Sequence, residues 1–142
     1  PGHPVWIPPG EWPGVAGRYP LHMVSPQPGD KLHSQLECAI ADLPDKRPGA
    51  VIMHPEDAAE RGISDGDLVK LYNARGASLA RARLRSDIIP GVVALPTGAW
   101  FDPDEEGMDI QGNPNVLTRD VGTSRIGQGC SAHSCLVDIA AF

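Results

Sequence analysis

Four stretches of this chain concentrate side chains suited to holding a ligand. Residues 25–35, SPQPGDKLHSQ, carry Ser25, Gln27, Asp30, Lys31, His33, Ser34 and Gln35. The others are 97–102, 112–120 and 122–131, rich in Asn, Gln, Ser, Thr and Gly. Amide side chains offer paired donors and acceptors to the edge of a heterocycle. Hydroxyls and glycine backbone can approach a pyrophosphate closely. The indole of Trp100 can cover a ring face. This inventory suits a large planar ligand whose heterocycles are joined through phosphate. The competing reading is polar loops that satisfy themselves, and residue types alone leave both open.

Signals for reactive chemistry are weaker. Ser34, His33 and Asp30 could form a hydrolytic set, but no GxSxG elbow presents a nucleophile. There is no GxGxxG after the first strand and no GxxxxGK(S/T), so neither a dinucleotide crevice of that type nor a P-loop is supported. The five histidines, His3, His22, His33, His54 and His133, lack metal-ligand spacing. Asp104, Glu105, Glu106 and Asp109 resemble part of a calcium loop but miss its full pattern. Cys38, Cys130 and Cys135 are an odd number, a poor disulfide framework, and read as structural thiols. Thiols favour a reducing, cytoplasmic setting over a periplasmic one. An export signal, if any, would sit at the N-terminus of a parent protein.

The elements that must position these loops are short. The 142 residues suggest one domain, with 41% hydrophobic and 21% charged residues. Gly 16 and Pro 15 make up about a fifth of the chain, which favours brief strands and shaped loops. A net charge of -6 argues against a general nucleic-acid binder. No apolar run is long enough to span a membrane. The absence of an initiator Met suggests a fragment of something longer. Residues 1–18, with five prolines and four glycines, read as an irregular segment draped over the surface. Strands are expected at 19–24, 50–54, 68–73, 77–85, around 92–95 and at 135–142. In 68–73, Leu68 and Leu71 are out of phase, so both faces are expected to be buried. Residues 42–49 read as a turn-rich connection, and 99–115 as a long polar loop. HPEDAAERG is the clearest helix: Pro55 suits the first turn, Glu56 and Asp57 its positive end, and Gly62 the left-handed cap. Arg81, Arg83 and Arg85 alternate with Ala80, Ala82 and Leu84 and read as a solvated strand face. The pattern is mainly β, a small barrel or sandwich with a loop-built site at one end. The turns GDLV and PGVV are compatible with two related halves.

In order along the chain, YPLHMVSPQPGDKLHSQLE, HPEDAAERGISDGDLVKLYNARG, PGVVALPTGAWFDP and GNPNVLTRDVGTSRIGQGCS resemble the C-terminal domain of molybdopterin oxidoreductases. The branch they are most similar to is the dimethyl sulfoxide, trimethylamine N-oxide and biotin sulfoxide reductases. The resemblance runs from about Pro4 to Ala140. It implies a six-stranded double-psi β-barrel over 19–142, with one or a few short helices. It also implies a bis(molybdopterin guanine dinucleotide) molybdenum cofactor, shared with upstream domains of a parent enzyme. By the same carry-over Ser25, Gln27, Lys31, His33, Ser34 and Gln35 touch the cofactor. Trp100 and Asp102 border the site, Asn115 meets a pterin or guanine edge, and Ser124 and Gln128 lie along the dinucleotide. Lys31 stands where the family more often has arginine, which keeps the charge but loses the planar fork. The metal ligand in that family comes from an earlier domain, so this chain alone is expected to be inactive. The alternative is a free-standing barrel subunit that binds without molybdenum.

Overall fold

Alternating apolar residues along six segments curl the chain into a closed barrel. The computed structural model describes residues 2–14, 17–35 and 48–142. Cys38 and most of the 42–49 connection lie outside these residues. The strands are β1 (Leu21–Val24), β2 (Ala50–Met53), β3 (Leu68–Tyr72), β4 (Ala77–Leu84), β5 (Val92–Ala94) and β6 (Cys135–Ala141). Each begins close to where the sequence pattern places it. β1 starts two residues late because Pro20 has no N–H to give to a ladder.

The strand order around the barrel is β1-β5-β2-β4-β3-β6. β1 with β5 and β2 with β4 are parallel, and the remaining pairs are antiparallel. This is the mainly β, six-stranded double-psi barrel that the resemblance implies. The order has an internal two-fold relation. Exchanging β1 with β4, β2 with β5 and β3 with β6 reproduces every pairing and its direction. The GDLV and PGVV turns are not partners in that relation, because they precede β3 and β5.

Inward positions fill the core: Leu21, Met23, Val51, Met53, Val69, Leu71, Ala80, Ala82, Val93, Leu95, Val137 and Ile139. In β3 the buried pair is Val69 and Leu71, while Leu68 is half-buried on the outer face. Strict alternation therefore holds there, against the expected phase break.

Helix α1 (Pro55–Ala59) has Pro55 in its first turn. Its cap is His54, whose Nδ1 accepts from the Glu56 N–H at 3.2 Å. Gly62 has φ 66, as a left-handed terminator requires. Arg61 donates to Asp57 O at 2.9 Å and Asp138 Oδ1 at 3.1 Å, tying the helix to β6.

Residues 2–14 contain no helix or strand but are pinned at one point. Glu11 forms a fork with Arg75, at 2.7 and 3.0 Å. It also accepts the Leu136 N–H at 2.9 Å. Burial pushes the Glu11 carboxyl upward, but the hydrogen bonds from Arg75 and Leu136 and the nearby guanidinium charges outweigh it. The net pKa is lowered.

Candidate functional site

Strand directions decide where the polar loops emerge. β1 and β5 run parallel, so the segments that follow them, 25–35 and 95–113, leave at the same end of the barrel. β6 runs against β1, with Cys135 opposite Met23, so the segment entering β6 arrives at that end too. The β3–β4 turn and the start of β2 are also there. One rim therefore carries all four stretches. Helix α1 and the 60–67 and 85–91 turns occupy the other end.

The first two stretches bind each other directly. Thr97 N–H donates to Pro26 O at 3.0 Å, and its hydroxyl reaches Gln27 Oε1 at 3.4 Å. Gln27 Nε2 donates to Lys31 O at 2.8 Å, closing the loop on itself. The Trp100 indole N–H donates to Ser34 O at 3.1 Å. Gly98, at φ 104, lies against this loop: a Cβ there would sit 2.1 Å from His33 O. Only glycine tolerates both the dihedral and the approach.

The 102–113 segment is organised by a residue the sequence reading weighed only as a calcium ligand. Asp109 is 0% exposed. Its Oδ2 accepts from Ser78 Oγ (2.6 Å) and from the backbone N–H of Gln111 (3.3 Å), Gly112 (2.9 Å) and Asn113 (2.7 Å). Its Oδ1 accepts from the Asp102 N–H at 3.1 Å. Asp104 Oδ1 similarly accepts from the Glu106 and Met108 N–H groups. These carboxylates shape turns. Among the described residues no group of three or more His, Cys, Asp and Glu side chains could hold a metal ion.

Asn115 sits on a single 3-10 turn, Pro114–Val116, capped by Asn113 Oδ1 accepting the Asn115 N–H at 2.9 Å. Leu117 anchors this turn in the core. Its carbonyl accepts from Asn73 Nδ2 (2.8 Å), Arg75 Nε (2.7 Å) and the Cys135 thiol (3.2 Å). Burial pushes the Cys135 pKa up, which keeps it a thiol that can donate. The sequence analysis singles out neither Asn73 nor Arg75 as a support. An Asn followed two residues later by Arg, next to a strand end, was the available signal.

Ser124 and Gln128 lie on an exposed lobe closed by a Gly122–Cys130 bridge. Ser124 Oγ accepts the Gly127 N–H at 2.7 Å, and Gln128 Nε2 donates to Ser124 O at 2.8 Å. Both are thus engaged within the lobe. The lobe meets β1 through His133, whose carbonyl accepts from His22 Nε2 and whose Nδ1 accepts the Ser25 N–H at 3.3 Å.

The candidate residues thus share an end of the barrel but are not all in contact. Ser25, Gln27, Ser34, Trp100 and Asp102 are bonded into the network of neighbouring loops. Asn115, Ser124 and Gln128 belong to separate pieces of the rim. The side chains of His33, Ser34, Gln35 and Asn115 make no hydrogen bond to described residues and are exposed. Ser25 is 6% exposed, and its hydroxyl has no partner. A buried orphan hydroxyl, with amides and an imidazole left uncommitted at the same end of the barrel, fits a polar heterocyclic ligand. No helix among the described residues is long and apolar enough to cross a membrane.

Comparison with known proteins agrees with this geometry. The chain is 57% identical to biotin sulfoxide reductase of Cereibacter sphaeroides over 142 residues, covering 98% of this chain and 19% of that protein. It is 46% identical to trimethylamine-N-oxide reductase of Haemophilus influenzae, covering 99% of this chain and 18% of that protein. The chain therefore spans about a fifth of the length of these relatives. Acetylene hydratase from Pelobacter acetylenicus superposes with a TM-score of 0.73 at 18% identity, covering 98% of this chain and 21% of that one; that likeness concerns the fold. Residues 21–136 match the model of one family, a span reaching from the first strand through every candidate loop to the start of the last. The chain belongs to the Molydopterin dinucleotide binding domain family.

Proposed function

We propose that this chain grips bis(molybdopterin guanine dinucleotide) as the C-terminal domain of an enzyme that reduces S- or N-oxides. The remaining domains of that enzyme are its partners. The observation that carries the reading is the convergence of four amide- and hydroxyl-rich segments on one barrel end. The activities that give the biotin sulfoxide and trimethylamine-N-oxide reductases their names, at 57% and 46% identity, support the substrate class.

In this reading His33, Ser34 and Gln35 meet a pterin, with Ser25 and Gln27 holding the base of the loop. Lys31 supplies positive charge to a phosphate as a point charge, without the arginine fork. Trp100 covers a ring face and Asp102 sets the adjoining turn. Asn115 pairs with a heterocycle edge, and Ser124 and Gln128 follow the dinucleotide once their lobe closes on it. When bound, the molybdenum centre supplies the oxygen-atom transfer. This chain's residues bind and orient the pterin and exclude water around it, which tunes a metal without touching it. The metal ligand comes from another domain, so the isolated chain is inactive.

The test is Asn115→Ala in the full-length protein. Losing a paired amide at a buried heterocycle edge costs about 1–3 kcal/mol, which is roughly 5- to 150-fold weaker retention. Molybdenum and pterin content should fall on purification. Full occupancy with unchanged reductase activity would remove Asn115 from the site.

A further inference from the structure

We infer that the N-terminal segment 2–14 is a clamp on the Asn115 turn, and that Glu11 is its positioning residue for cofactor retention. The inference rests on the cofactor reading of Asn115. Residues 2–10 are exposed, whereas Glu11 and Trp12 are half-buried. Both oxygens of Glu11 are engaged. Oε1 lies 2.7 Å from Arg75 Nη1 and 3.7 Å from Arg119 Nε. Oε2 accepts from Arg75 Nη2 at 3.0 Å and from the Leu136 N–H at 2.9 Å. The carboxylate is thus committed within the chain. Gly10 brings the segment close: a Cβ there would lie 2.9 Å from Arg119 Nη1.

Arg75 relays this attachment. Its remaining nitrogen, Nε, donates to Leu117 O at 2.7 Å. Leu117 closes the turn that carries Asn115, its N–H donating to Pro114 O at 3.0 Å. One guanidinium therefore holds Glu11 on one side and the Asn115 turn on the other. Arg119, two residues beyond Leu117, is the second arm. Its Nε is buried without a hydrogen bond, so Glu11 meets it as a charge. The Arg75 and Arg119 side chains are 29% and 31% exposed. Without the carboxylate between them, these two cations repel across a partly desolvated gap. That repulsion works against the Arg75–Leu117 bond. Asn73 and Cys135 still hold Leu117 O, so the turn shifts without being released. The effect of losing Glu11 is accordingly smaller than that of deleting the Asn115 amide.

The test follows how fast molybdenum and pterin leave the full-length, cofactor-loaded protein on dialysis. It uses a double-mutant cycle of Glu11→Gln with Asn115→Ala. Glu11→Gln should speed the loss by about 2- to 30-fold, the range for residues that couple to a site without touching it. Asn115→Ala should speed it more. The double variant should lose cofactor no faster than Asn115→Ala alone, because the clamp then has no contact left to position. Equal acceleration by Glu11→Gln in both backgrounds would mean that the segment steadies the fold as a whole, and would overturn the inference. So would wild-type loss in Glu11→Gln while Asn115→Ala is fast. Wild-type loss in Asn115→Ala would instead remove Asn115 from the site, and the clamp's role would fall with it. Arg75→Lys carries the cycle should Glu11→Gln fail to fold. Its ammonium keeps the charge but has no fork to hold Glu11 and Leu117 O at once. It should give the same non-additive result with Asn115→Ala, and additivity there would be equally decisive against the clamp.

Discussion

Replacing Asp109 with Asn keeps the shape of the side chain and removes its charge. The carboxylate accepts five hydrogen bonds, four on Oδ2 and one on Oδ1. Asparagine has one oxygen. Placed at the Oδ2 position, it retains Ser78, Gln111, Gly112 and Asn113 as donors. Its NH2 then faces the Asp102 N–H, donor against donor, inside a site with no solvent access. An unsatisfied buried group costs about 1–3 kcal/mol, and the retained bonds lose their charge assistance. The sum is about 3–5 kcal/mol, a large part of a typical stability of about 5–15 kcal/mol. Urea denaturation followed by tryptophan fluorescence measures it. With a slope near 2 kcal/mol per molar, the midpoint should fall by about 1.5–2.5 M. Ser78→Ala removes one donor and leaves the carboxylate its backbone partners, so its loss should be about 1 kcal/mol. A shift below about 0.3 M for Asp109→Asn would refute the view that this carboxylate organises the 102–113 segment.

Other expectations follow from single contacts. Gly98→Ala should push the 25–35 loop off the 97–102 segment, because the new Cβ lies 2.1 Å from His33 O; cofactor content should drop while the urea midpoint moves less than for Asp109→Asn. The lowered Glu11 pKa makes its pin fully effective above the ordinary glutamate value of about 4.3. The pin is lost as pH falls through the depressed folded value, so limited proteolysis near residues 2–14 should rise on acidification, and Glu11→Gln should show that sensitivity already at neutral pH. Leu71→Ala, at a site with 0% exposure, should cost about 2–5 kcal/mol in the same denaturation assay.

Much of the scaffold was readable because strand alternation and cap chemistry are local. Leu21 and Met23 in β1, and Val51 and Met53 in β2, alternate with half-buried neighbours. Pro55 and Gly62 mark the two ends of α1 in advance. The barrel's closure was not local: β1 pairs with β5 and β6, far along the chain, and only the family resemblance carried that order. The supports of the rim were equally hidden. Asp109 stands among four nearby acidic residues in sequence, and nothing nearby says that it alone turns inward toward Ser78. Arg81 reads like Arg83 and Arg85 by period, yet the 28–31 and 111–112 segments fold over its side of the barrel. Such roles depend on which distant backbone passes nearby.

Hydrogen exchange of the full-length protein, compared with and without its molybdopterin cofactor, tests the rim most directly. Added protection is expected in 25–35, 97–102, 112–118 and 122–131, with 60–67 and 85–91 unchanged. Protection concentrated at that second end, or no difference at the first four segments, would contradict it.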